Sequence, residues 1–143
     1  MKLISLFFLL VISICGQSQK DGALTSFGML IGKSVYEFNS QLAGVEWKKV
    51  FEDASYQLWE INDEVTYSVS FVNGFVARSS FDFEGWSYDS VVSKMIDEGW
   101  SFWTVCDATI KPPCAYYKQD KYYPMCIRCG VMEGSAYVDF TKF

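Results

Sequence analysis

The stretch Val65-Thr66-Tyr67-Ser68-Val69-Ser70-Phe71-Val72-Asn73-Gly74-Phe75 decides the fold. Val65, Tyr67, Val69 and Phe71 alternate with Thr66, Ser68 and Ser70, so an extended chain here is apolar on one side and hydroxylated on the other. Period-two alternation marks a strand with one face buried and one face wet. Asn73-Gly74 then supplies the residue pair that best tolerates two successive positive φ angles, the requirement of a type I′ hairpin turn. The return strand is expected to place Phe75, Ala77, Ser79, Phe81 and Phe83 together. A hairpin with one apolar face needs a cover, and the flanking segments supply candidates for it.

Toward the N-terminus, residues 56–61 and 45–52 read as two further strands, set off by Asp53-Ala54 and Asn62-Asp63. Residues 45–83 thus form a four-stranded meander. Ahead of it, Ser34-Val35-Tyr36-Glu37 has the capping-box form, in which serine caps a backbone N–H and glutamate reaches back. Val35, Phe38 and Leu42 follow at helical spacing, and Gly44 ends the helix. Toward the C-terminus, Ser87 is an N-cap, Asp89 suits a first turn, Val91, Val92, Met95 and Ile96 form an apolar face, and Gly99 terminates. Strands are then expected at 100–106, 114–118, 121–127 and 135–141, separated by Pro112-Pro113, Gln119-Asp120 and Glu133-Gly134. Pro124 marks the third of these as an edge or a bulge. The fold class is α+β: an antiparallel sheet of about 6–8 strands with two helices on one face and the other face open.

The two halves resemble each other at a shift of 53, which carries residue 32 onto 85. Gly32 falls on Gly85, Ser34 on Ser87, Ser40 on Ser93 and Trp47 on Trp100. Tandem helix-and-meander repeats at 30–83 and 84–143 are one reading. Coincidence between two ordinary helix-to-strand joints is the other. The order of elements resembles the beta-lactamase inhibitory protein-like family of exported helix-plus-meander domains. That resemblance is topological and implies recognition of a protein through the uncovered sheet face.

The start of the chain has its own signature. Lys2 is followed by the apolar run Leu3 to Ile14, interrupted only by Ser5 and Ser13. A positive start and a short apolar core read as a secretory signal, and the run falls short of the roughly 20 residues a membrane span needs. Residues 1–18 are therefore expected to be removed, leaving a single domain at 19–143 with no integral membrane segment. The ending Cys15-Gly16-Gln17-Ser18-Gln19 is similar to signals of exported Bacteroidota proteins. Ile12-Ser13-Ile14-Cys15-Gly16 also resembles a lipobox, which would anchor the chain through Cys15, although Ile14 is bulky for that motif. The expected location is secreted or periplasmic.

Composition excludes several chemistries. The chain has no histidine, so catalytic triads as usually built and histidine metal sites are out. A formal charge of −5 argues against nucleic acid, whose phosphates demand a basic face. The carboxylates are scattered, and no catalytic residues, metal or cofactor are assigned. Gly28-Met29-Leu30-Ile31-Gly32-Lys33-Ser34 is one residue short of a phosphate loop, and the capping box accounts for Ser34.

Once Cys15 leaves with the signal, Cys106, Cys114, Cys126 and Cys129 remain. An even number in an exported domain reads as two disulfides. A hairpin turn at Gln119-Asp120 would favour Cys114–Cys126 and leave Cys106–Cys129. Four thiolates holding zinc, or a redox pair Cys126/Cys129 with Arg128 beside it, are the alternatives. The aromatics, 12 Phe, 9 Tyr and 5 Trp, are the remaining clue. Neighbours such as Tyr116 and Tyr117 must point to opposite faces, so some rings are exposed. Exposed tyrosine and tryptophan suit recognition surfaces. The expected function is an exported, non-enzymatic module that engages a protein or peptide through Trp59, Trp103, Tyr117, Tyr122 and Tyr137. A thiol–disulfide protein and a glycan- or lipid-binding domain are the alternatives.

Overall fold

A computed structural model describes residues 23–106 and 113–142. The expected signal segment with Cys15, the polar leader after it and Pro112 lie outside the described residues. The chain runs through α1 (Ala23–Gly28), α2 (Val35–Leu42), β1 (Lys48–Glu52), β2 (Tyr56–Glu60), β3 (Val65–Val72), β4 (Phe75–Glu84), α3 (Tyr88–Asp97), β5 (Ser101–Val105), β6 (Cys114–Lys118), β7 (Met125–Met132) and β8 (Ser135–Lys142). The strands form one eight-stranded sheet in the order β1-β2-β3-β4-β8-β7-β6-β5, with every pairing antiparallel. The α+β class and the single antiparallel sheet are as the alternation and turns imply.

Local chemistry sets each element. Ser34 accepts from the Glu37 N–H while the Glu37 carboxylate accepts from the Ser34 N–H, closing the capping box. Ser87 caps α3 by accepting from the Ser90 N–H. Asn73 and Gly74 have φ of 52° and 80°, the pair of positive angles a type I′ turn requires. Glu133 and Gly134 repeat that turn between β7 and β8, with φ of 52° and 83°.

The three helices pack on one face of the sheet and share one core with it. Tyr67, Phe81, Phe83, Val138 and Phe140 rise from the sheet to meet Phe38, Leu42, Val91 and Met95. Val91 and Met95 are buried as the α3 face predicts, whereas Ile96 is exposed. The short helix α1 has no periodic signal in its sequence and adds a third helix to the two that the sequence implies. A Cβ at Gly28 would sit 2.3 Å from the Phe140 ring, so α1 reaches its place only because that residue has no side chain.

Two expectations need correcting. First, Phe75 and Ala77 do not share the core face with Phe81. The β3–β4 register passes from Ser70↔Arg78 to Phe71↔Val76, leaving Ala77 as an unpaired bulge. The bulge flips the start of β4, so Val76 is buried and Phe75 exposed. Second, the strand expected at 121–127 is β7, at Met125–Met132. Residues 120–122 form a 3-10 turn instead, and Pro124, its peptide bond cis, stands just ahead of β7, where no ladder N–H is needed.

The halves match across the seam between β4 and β8. Each is a capped helix followed by four antiparallel strands. Gly32 and Gly85 both have positive φ, at 85° and 73°. Residues 53 apart are also skipped in the outermost pairings: Val50 in β1 and Trp103 in β5.

Candidate functional site

With all helices on one side, the other side of the sheet is bare. Its residues follow from pairing parity. One row across the strands reads Leu58, Ser68, Ser80, Asp139, Arg128, Tyr116 and Thr104. The next reads Glu60, Thr66, Asp82, Tyr137, Gly130 and Cys114. Short serines in β3 and β4 make a low floor between taller neighbours. The result is an open groove of about 510 Å³, lined among others by Tyr56, Ser68, Ser70, Ser80, Met132 and Tyr137.

Asp139 is the electrostatic centre of this face. Its side chain is only 5% exposed, and Arg78 Nη2 donates to Oδ2 at 2.9 Å. Arg128 Nη2 donates to the same oxygen, and Ser80 Oγ donates to Oδ1. Two guanidiniums and a hydroxyl thus satisfy one enclosed carboxylate, an arrangement that fixes geometry across three strands. Burial pushes the Asp82 carboxyl above its ordinary range, Asp139 adds to the effect and Arg78 opposes it.

Tyr137 lies across the strands rather than standing up from them. A Cβ at Gly130 would meet its hydroxyl at 2.5 Å, so the ring occupies the space above that glycine. Its hydroxyl is 3.9 Å from Cys114 Sγ, and the Arg128 guanidinium sits 5.5 Å from the ring centroid.

The five aromatics expected to form the site are distributed differently. Tyr137 is on the bare face. Trp103 sits at the β5 bulge, with Lys118 Nζ 5.5 Å from its ring. Trp59 and Tyr117 point the other way, into the core, at 9% and 5% exposure. Trp59 pairs with Tyr67 across β2–β3 and bonds the buried Gln57, and the Tyr117 hydroxyl meets that of Tyr88 on α3 at 3.2 Å. Tyr122 stacks on Trp100 beneath the sheet. Tyr116 and Tyr117 do point to opposite faces, and it is Tyr116 that faces outward, because its partner Arg128 does. The signal for the true lining was already in Thr66, Ser68 and Ser70, the polar side of the first strand.

The cysteines pair differently from the expectation. Cys106 is bonded to Cys114, while Cys126 and Cys129 are free and buried. Cys114 lies opposite Gly130 instead of beside Cys126, because the loop before β7 shifts the register. A four-thiolate zinc site is therefore not formed, and among the described residues no cluster of potential ligands could hold a metal. Cys126 and Cys129 stand three apart on one extended strand, so their thiols leave opposite faces of the sheet. Burial and then Asp139 push the Cys129 thiol up to about 12. The near-miss phosphate loop is tied into the sheet: Gly32 N–H donates to Val76 O, and Val76 N–H donates to Lys33 O, both at 2.8 Å.

No helix among the described residues is long and apolar enough to cross a membrane. The Cys106–Cys114 bond is compatible with an oxidising compartment. Compared with family models, with curated proteins and with solved structures, the chain finds no match in any of the three.

Proposed function

We propose that this chain is an exported, non-enzymatic binding module that engages a protein or peptide through the bare face of its sheet. The observation that carries the reading is the asymmetry of the sheet. Three helices cover one face, while the other presents an open groove with a hydroxyl floor, tyrosine walls and a rigid ionic centre. A large, braced and uncovered sheet face offers what recognition needs: area, pre-organised polar groups and aromatic anchors. The disulfide and the expected signal at residues 1–18 support export, and the two helix-and-meander halves sharing one sheet suit the family resemblance noted above. The recognition residues are revised to Tyr56, Arg78, Tyr137 and Asp82, with Trp103 at the margin.

A photo-crosslinking residue placed at Ser70, on the bare face, or at Ser93, on the helical side, tests this in the protein's own export compartment. A discrete adduct is expected from Ser70 and none from Ser93. Adducts from neither position, or from Ser93 alone, would sink the reading.

A further inference from the structure

The bare face is electrically lopsided. Its central arginines, Arg78 and Arg128, share the one carboxylate of Asp139, so the middle of the face keeps a single surplus positive charge that is held in place by that bonding. Beside it lies a second open depression of about 310 Å³, lined by Asp63, Glu64, Thr66, Asp82, Glu84 and Glu133. Asp82 and Met132 line both depressions, so the serine-floored groove runs into the acidic one. Glu64 accepts from the Trp86 indole N–H at 2.9 Å. Among the described residues, none of Asp63, Asp82, Glu84 and Glu133 has an ion-pair partner. Asp82, at the junction, has its carboxyl pushed above the ordinary range first by burial and then by Asp139, with Arg78 opposing.

We propose that the occupant of this face is a cationic polypeptide segment, laid extended over the serine floor with a lysine or arginine seated against Asp82 and the acidic rim. This rests on the binding-module reading and gives the partner its chemistry. The floor suits a main chain, because each serine hydroxyl both donates and accepts and so can meet backbone N–H and C=O groups alike. The rim suits a positive side chain, which would offset the carboxylates of Asp63, Asp82, Glu84 and Glu133 gathered around it. An anionic segment would meet like charge at the rim, and such mismatches discriminate strongly between partners. The chain's net charge of −5 draws the same class of partner from a distance.

The test uses two labelled decapeptides, one alternating serine with lysine and one alternating serine with glutamate, and reads fluorescence anisotropy against the purified protein. The lysine peptide is expected to bind, and to weaken as salt screens the rim. Asp82→Asn with Glu84→Gln should weaken it by about tenfold, the size expected for losing close charge partners. Glu46→Gln with Asp97→Asn, the same charge change made outside the groove, should leave binding as it was. Equal binding of the two peptides, or equal loss in both double variants, would overturn the proposal. So would self-association of the protein through the groove. An adduct at Ser70 without preference for the lysine peptide would leave the binding-module reading standing and remove this one alone.

Discussion

Phe81 and Phe140 meet edge to face across the seam between β4 and β8, their ring centroids 6.1 Å apart. Each is closed off by a tryptophan from its own half of the chain: Trp47 on Phe81 at 6.5 Å and Trp100 on Phe140 at 6.0 Å. The four rings form a continuous aromatic spine that ties the two meanders into one core. Alanine at Phe81 or at Phe140 should each cost about 3–5 kcal/mol, the range for deleting a buried aromatic. Because Phe81 pairs with Val138 and Phe140 with Ser79, the rings sit symmetrically about the seam, and the two losses should be similar when read from urea denaturation. A loss at one position and near-neutrality at the other would mean that one half folds without the other.

Gly130 makes room for Tyr137. Gly130→Ala should destabilise by about 1–3 kcal/mol, as overpacking does. Trimming the ring with Tyr137→Val in the same chain should recover most of that loss, giving a large coupling in a double-mutant cycle. Simple additivity of the two changes would show that the ring does not lie over Gly130.

Asp82 makes stability depend on pH in a definite direction. Its folded pKa is raised above the ordinary 3.8 by burial and then by Asp139. The folded state therefore holds this proton more tightly than the unfolded chain does. The stabilisation is fully present below 3.8 and is lost as pH rises through the raised value. Asp82→Asn should raise Tm relative to the parent at neutral pH, and the gap should close as pH falls toward 3.8. A gap that widens on acidification would contradict the assignment.

Thiol labelling gives a sharp count. Cys126 and Cys129 are free but buried, and Cys129 ionises only near 12. In folded protein at neutral pH both should resist iodoacetamide, because the thiolate is the reactive form. Unfolding without reductant should expose these two and leave Cys106 and Cys114 unmodified. Labelling of Cys106 before reduction would show that the bridge is open.

Much of this fold was legible from Val65 to Phe75. The alternation set the faces, Asn73-Gly74 set the hairpin, and the serine caps set α2 and α3. Where the register slipped, the cause was local. One unpaired residue at Ala77 reversed the start of β4, and the turn at residues 120–122 displaced β7 and with it the cysteine pairing. A strand side chain changes face with each single-residue step, so small errors of register become complete errors of exposure. Trp59 and Tyr117 show a different limit: their strands lie where the sequence places them, but alternation alone does not say which of two neighbours faces the core, and both are core residues. The groove was harder to see than the core. Its floor is serine, which draws no notice in a sequence, and its rim gathers acids from turns far apart along the chain.

The skipped residues Val50 and Trp103 have a consequence beyond symmetry. They lie in the outermost strands, whose free backbone groups would otherwise template another copy of the sheet. A break in the ladder at each margin spoils that template and caps the sheet at eight strands, guarding against fibrillar growth from either side.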